Sequence, residues 1–116
     1  MARFLVHVAT GPENPTRAAL GLLVARTAAS EGHDVRVFLA GDGVHLARPE
    51  TAAALHGIGT GAAAEHLAAL REAGVSLFLS GMSSKARAIE GGDGAELAPP
   101  EKLVELAVWA ETVLTY

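Results

Sequence analysis

A chain of 116 residues, half of them hydrophobic and 19% charged, has the composition of one folded domain with a modest core, not of a disordered segment. Its formal net charge of -4, with nine basic residues scattered singly, offers no basic stripe to a nucleic acid, and no apolar run approaches the ~20 residues of a membrane span. The absence of cysteine excludes disulfides, thiolate nucleophiles and cysteine-ligated metals.

Arg3-Phe4-Leu5-Val6-His7-Val8-Ala9 is a short apolar run ending in the turn-forming Thr10-Gly11-Pro12-Glu13-Asn14, the pattern of a buried first strand. Asn14 is placed to cap a helix whose first position is Pro15, where a missing N–H is harmless. That helix is expected to run to about Glu31, with Leu20, Leu23, Val24 and Thr27 on one face and Gly32 as its stop. Asp34 to Ala40 reads as the second strand, broken by Gly41-Asp42-Gly43. From Gly41 to Gly61 the periodicity is weak, with a helical turn or two expected between Ala47 and Leu55; so long a connection is either functional or mobile.

Thr60 is expected to cap a second long helix that buries Ala63, Leu67 and Leu70 and stops at Gly74. Val75 to Leu79 forms the third strand, and a helix follows from about Met82 to Glu90, ended by Gly91-Gly92-Asp93-Gly94. Ala95-Glu96-Leu97 is a short edge strand. Pro99 and Pro100 open a last helix with Leu103, Val104, Ala107 and Val108 inward, and Glu111 to Tyr116 reads as a terminal strand. The alternation predicts a single domain over residues 1–116, a three-layer α/β/α sandwich with a mainly parallel four- to five-stranded sheet.

In such a sheet, ligands sit beyond the carboxyl ends of the strands, where three loops are expected to converge: Thr10 to Thr16, Gly41 to Ile58, and Ser80 to Lys85. The candidate ligand-binding residues are therefore Thr10, Asn14, Asp42, Ser80, Gly81, Met82, Ser83, Ser84, Lys85 and Arg87. Hydroxyls, backbone N–H groups and Lys85 suit an anion or another small ligand. Ser80 or Ser83 also suits plain helix capping, Asp42 a turn, and Arg87 a subunit contact. The five histidines are too dispersed for a familiar metal-ligand spacing, although the long connection allows His45 and His56 to approach each other. No metal and no cofactor is expected. Gly57-Ile58-Gly59-Thr60-Gly61 does not follow a strand and lacks the pattern of a phosphate loop, which leaves a hinge.

The opening strand, the strand closing on Leu39-Ala40-Gly41-Asp42-Gly43-Val44, the third strand and the ending Ala110-Glu111-Thr112-Val113-Leu114-Thr115-Tyr116 are similar, in order and spacing, to the DsrE/DsrF-like family. This group of small α/β subunits includes sulfur-relay proteins and YchN-type relatives, and the resemblance covers essentially the whole chain. Its sulfur-carrying members place a cysteine at the end of the third strand, with an Arg seven and an Ile nine residues later. Arg87 and Ile89 fit that spacing and put Ser80 at the cysteine's position. A serine hydroxyl forms no persulfide and is a poor nucleophile without an adjacent base. The resemblance thus implies the scaffold and an oligomeric habit, trimers or hexamers, without the transfer reaction.

Three readings follow. The first is a homo-oligomeric subunit that binds a small ligand or anion around Ser80. The second is a non-catalytic scaffold subunit of a sulfur-relay-like complex with a cysteine-bearing partner. The third is a hydrolase with Ser80 as nucleophile and a loop histidine as base. The last helix carries more apolar positions than one buried stripe needs, which favours self-association. Nucleic acid and membrane partners are not expected, and the start Met1-Ala2-Arg3-Phe4 lacks a signal-peptide core, so the expected location is cytoplasmic.

Overall fold

The computed structural model describes residues 1–92 and 94–116; Asp93, part of the expected stop of the third helix, lies outside the described residues. In chain order, β1 (Arg3–Val8) leads through α1 (Pro15–Ser30) to β2 (Asp34–Leu39). A 3-10 helix (Gly41–Ala47), α2 (Pro49–Ala54) and a small ribbon of β3 (His56–Gly57) and β4 (Gly61–Ala62) precede α3 (Ala63–Glu72). β5 (Ser76–Ser80) turns directly into α4 (Gly81–Ala86), and β6 (Ala95–Ala98), α5 (Pro100–Trp109) and β7 (Thr112–Thr115) follow.

Five strands form one sheet in the order β6-β5-β2-β1-β7, every neighbouring pair parallel. The register sets Val6 beside Val37 and Leu114, and Phe38 beside Phe78. Because successive side chains point to opposite faces, this register sorts the apolar residues into two layers. Val6, Val8, Val37, Leu39, Leu77 and Leu79 lie in the larger cluster with α1 and α3, while Leu5, Phe38, Phe78 and Ala98 meet Leu106 of α5. Helices thus flank the sheet on both sides, as the alternating pattern predicts.

Several details differ from expectation, each for a local reason. The buried seam of α1 is Ala18, Ala19, Gly21, Leu22, Ala25 and Ala28, with Thr27 exposed and Leu20, Leu23 and Val24 only part-buried. Small residues win that face because the helix lies close: a side chain at Gly21 would press on Val8 and Tyr116. In α5 the buried residue is Leu106, with Leu103 part-buried against the same cluster; Val104 and Val108 are 64% and 82% exposed and Ala107 is exposed too. An apolar run on both sides of a helix leaves its inward face undetermined by periodicity.

Thr60 does not cap α3, whose N-cap is Ala62. Its hydroxyl donates instead to the Thr16 carbonyl at 3.0 Å, and its own carbonyl lies 2.7 Å from Nε2 of His66. Since a carbonyl only accepts, Nε2 carries the hydrogen, and Nδ1 accepts from Arg26 Nη1 at 3.4 Å. His66 is thereby buried as a structural residue that fastens the ribbon to α1 and α3. The long connection is filled by the 3-10 helix, α2 and this ribbon.

The helix expected from Met82 to Glu90 spans only Gly81–Ala86. It ends in a Schellman arrangement: Ala88 is left-handed at φ 54°, its N–H donates to Lys85 O at 3.3 Å, and the Ile89 N–H donates to Ser84 O at 2.9 Å. Buried Ile89 anchors the turn. Among the described residues, no helix is long and apolar enough to cross a membrane.

Candidate functional site

The carboxyl ends of β1, β2 and β5 bring two of the three expected loops into a hydrogen-bonded strap and the third into backbone contact with it. A Cβ on Gly43 would run into the Val8 carbonyl, and one on Gly11 into the Asp42 carbonyl, so both positions require glycine for the loops to sit this close. The Gly41 N–H donates to Ser83 Oγ at 2.9 Å, which ties the 3-10 helix to α4. Arg87 Nε donates to Asp42 Oδ1 at 3.1 Å, and its Nη1 donates to the Ser83 carbonyl at 3.1 Å. Arg48 Nη2 donates to the Arg87 carbonyl at 2.7 Å. Both residues of the Asp42–Arg87 pair are partly exposed, so the pair adds little stability; what it does is commit the Arg87 charge.

Ser80 occupies the turn itself, as the last residue of β5 and the N-cap of α4. Its Oγ accepts the Ser83 N–H at 3.2 Å, so the hydroxyl is held as a cap. Ser84 is 1% exposed, and its hydroxyl has no partner among the described residues. Asn14 lies apart from this strap, capping α1 through the Arg17 N–H at 3.2 Å. Thr10 is part-buried in the β1–α1 loop beside Gly43.

Two hollows open beside the strap rather than within it. One, of about 480 Å³, is lined by Gly81, Lys85, Ala88, Ile89, Glu90 and Leu97. The other, of about 330 Å³, is lined by Gly81, Met82, Leu97, Ala98, Pro99 and Pro100. Lys85 has no ion-pair partner among the described residues. A third hollow, of about 470 Å³, lies across the β1–α1 loop against Pro12, Pro15, Glu50, Leu55 and His56.

The sequence candidates therefore separate into three groups. Asp42, Ser80, Ser83 and Arg87 form the strap; Gly81, Met82 and Lys85 line the hollows; Asn14, Thr10 and Ser84 stand outside both, Asn14 as a cap, Thr10 in the β1–α1 loop and Ser84 buried in α4. Missed from the sequence were Leu97, whose only signal was a large apolar residue on a short edge strand, and His45. His45 Nε2 lies 4.0 Å from Asp42 Oδ1, an i,i+3 relation that becomes visible only once the 3-10 helix is known. The other histidines are engaged or set apart: His33 Nδ1 accepts the Ala2 N–H, His66 holds the ribbon, and His56 is exposed at the third hollow. His7 sits in β1 facing Phe38, its imidazole pushed below the usual histidine pKa by burial. Among the described residues no histidine bonds to Ser80, and no three His, Asp or Glu side chains are grouped to hold a metal ion.

Comparison with known proteins agrees with this fold. The model of the family described as DsrE/DsrF-like matches residues 2–116. Among solved structures, the crystal structure of the ychN protein from E. coli superposes with a TM-score of 0.83 at 22% identity, covering 100% of both chains. At that identity the likeness speaks for the fold. No curated protein matches significantly.

Proposed function

The chain belongs to the DsrE/DsrF-like family, and from that premise we propose that it is a homo-oligomeric subunit that binds a small ligand or anion in the cleft beside Ser80. Sulfur does not travel through a cysteine of this chain, because it has none. The observation that carries the binding reading is Lys85: a cation without an ion-pair partner among the described residues, on the wall of a hollow that begins at Gly81, next to Ser80. Arg87 is already paired with Asp42, and the Ser80 hydroxyl already accepts a backbone N–H. A Ser80-dependent hydrolase needs a base on that hydroxyl, and none bonds to it among the described residues.

Support for self-association comes from the outer side of α5, where Val104 and Val108 stand exposed, and from Val113 of β7, 46% exposed and directed to the same face as Leu5. Light scattering at micromolar concentration is expected to report an oligomer, and a strict monomer overturns that part of the reading. Calorimetric titration of the purified protein with phosphate, sulfate and a short carboxylate is expected to show binding by at least one of them. Lys85→Ala should weaken that binding at least tenfold; unchanged affinity removes Lys85 and the cleft with it. A scaffold role beside a cysteine-bearing relative is the second reading, favoured by the missing cysteine. It predicts a stable complex with such a relative on co-expression.

A further inference from the structure

The two hollows beside Ser80 share Gly81 and Leu97, so they form one trough between α4 and the edge strand β6. Its walls are mostly carbon. Leu97 and Met82 are 47% and 72% exposed, Ile89 closes one end as a buried residue, and Pro99 and Pro100 stand at the other. Large apolar side chains gathered around one concave surface mark a place for an apolar group.

Charge in the trough is sparse and mixed. Among the described residues Lys85 is its single cation and Glu90 its single acid. An inorganic oxyanion needs several donors, yet the neighbouring backbone N–H groups of Gly41 and Ser83 are consumed by Ser83 Oγ and Ser80 Oγ. A dianion would also meet the Glu90 carboxylate with one lysine to offset it. One positive charge, one repelling acid and an apolar floor suit a single negative charge attached to a carbon body.

Resting on the cleft reading above, we propose that the ligand is an amphipathic monoanion, a carboxylate on a short apolar body. Its carboxylate pairs with Lys85, and its body lies along Leu97 toward Met82 and Pro99. The apolar body supplies most of the affinity, and the lysine sets the orientation.

The test is a titration of the full chain, followed by backbone amide NMR, with butanoate, hexanoate, octanoate and inorganic phosphate as probes. Affinity is expected to rise about fourfold for each methylene the trough buries, with phosphate weaker than hexanoate. Shifts should centre on Gly81, Lys85 and Leu97. Lys85→Ala should weaken hexanoate about tenfold, and Leu97→Ser should flatten the chain-length series; both positions are exposed, so both variants should fold. Equal affinity for butanoate and octanoate, or a series unchanged in Leu97→Ser, overturns the proposal. Phosphate binding as tightly as hexanoate and depending on Lys85 overturns it too, while leaving the anion-binding cleft standing. If no probe shifts Gly81 or Leu97, both readings fall together.

Discussion

On one face of the sheet α1 and α3 cluster with Val6, Val37, Leu39 and Leu77 and bring small residues such as Ala18, Ala25 and Ala28 into the seam, whereas on the other α5 alone lies over Leu5, Phe38 and Phe78 and adds one fully buried side chain, Leu106. The first contact is close and rigid, with Gly21 against Val8 and Tyr116. The second is thin and finished by cations over rings: Arg36 stands 4.0 Å from the Trp109 ring and Lys102 5.2 Å from the Phe78 ring. It also leaves His7 Nε2 without a partner among the described residues. A sheet can thus be sealed by a seam of small residues on one side and roofed by a single helix on the other, and the second side keeps the exposed valines Val104, Val108 and Val113.

Substitutions can break or sharpen this contrast. Leu22→Ala removes a fully buried side chain from the rigid seam, where neighbours cannot close the gap, and should lower unfolding stability by about 4 kcal/mol in urea denaturation. Leu106→Ala should remove about 2.5 kcal/mol, because α5 is free to settle toward the sheet. Hydrogen exchange should then rise mainly in α5 and β6; equal loss of protection across both faces contradicts the contrast. Ala88→Gly touches neither face. It relieves a left-handed alanine and should raise stability by about 1 kcal/mol, additively with either core variant.

The smallest effect is a pH slope from His7. Burial lowers its pKa in the fold, while an unfolded histidine titrates near ~6.5. Unfolding therefore takes up a proton between the two values: the contribution is complete above about pH 6.5, declines as pH falls toward the folded value, and is flat below both. Denaturation midpoints of His7→Phe against the parent between pH 7.5 and 5 should show a shallower acid slope in the variant. An identical slope assigns the acid sensitivity to other groups.

The order of elements was legible because glycines, prolines and short apolar runs are local signals. Pro15 and Asn14 mark the start of α1, and Ser80 marks the strand-to-helix turn where the structure has it. The faces of α1 and α5 were not legible, since both helices are apolar around much of their circumference, and the choice among Leu103, Val104, Leu106 and Val108 is made by Phe38 and Phe78 on distant strands. The early end of α4 depends on a left-handed alanine, which composition does not announce. Likewise Arg87 finds Asp42 45 positions away and His66 finds Arg26 40 positions away, separations across which sequence spacing is silent. Asp42, Ser80, Ser83 and Arg87 do meet at the carboxyl ends of the strands, but the division between a closed strap and an open trough needed three-dimensional contacts.

The β1–β7 ladder has a kinetic consequence. Phe4 pairs with Thr112, so forming that ladder closes a loop of nearly the whole chain, whereas β1, β2 and β5 are joined by successive helical crossovers. Loop-closure entropy makes such a pairing late, after a nucleus of the other strands exists. β7 then behaves as a latch: weakening it speeds unfolding and leaves the folding rate almost untouched.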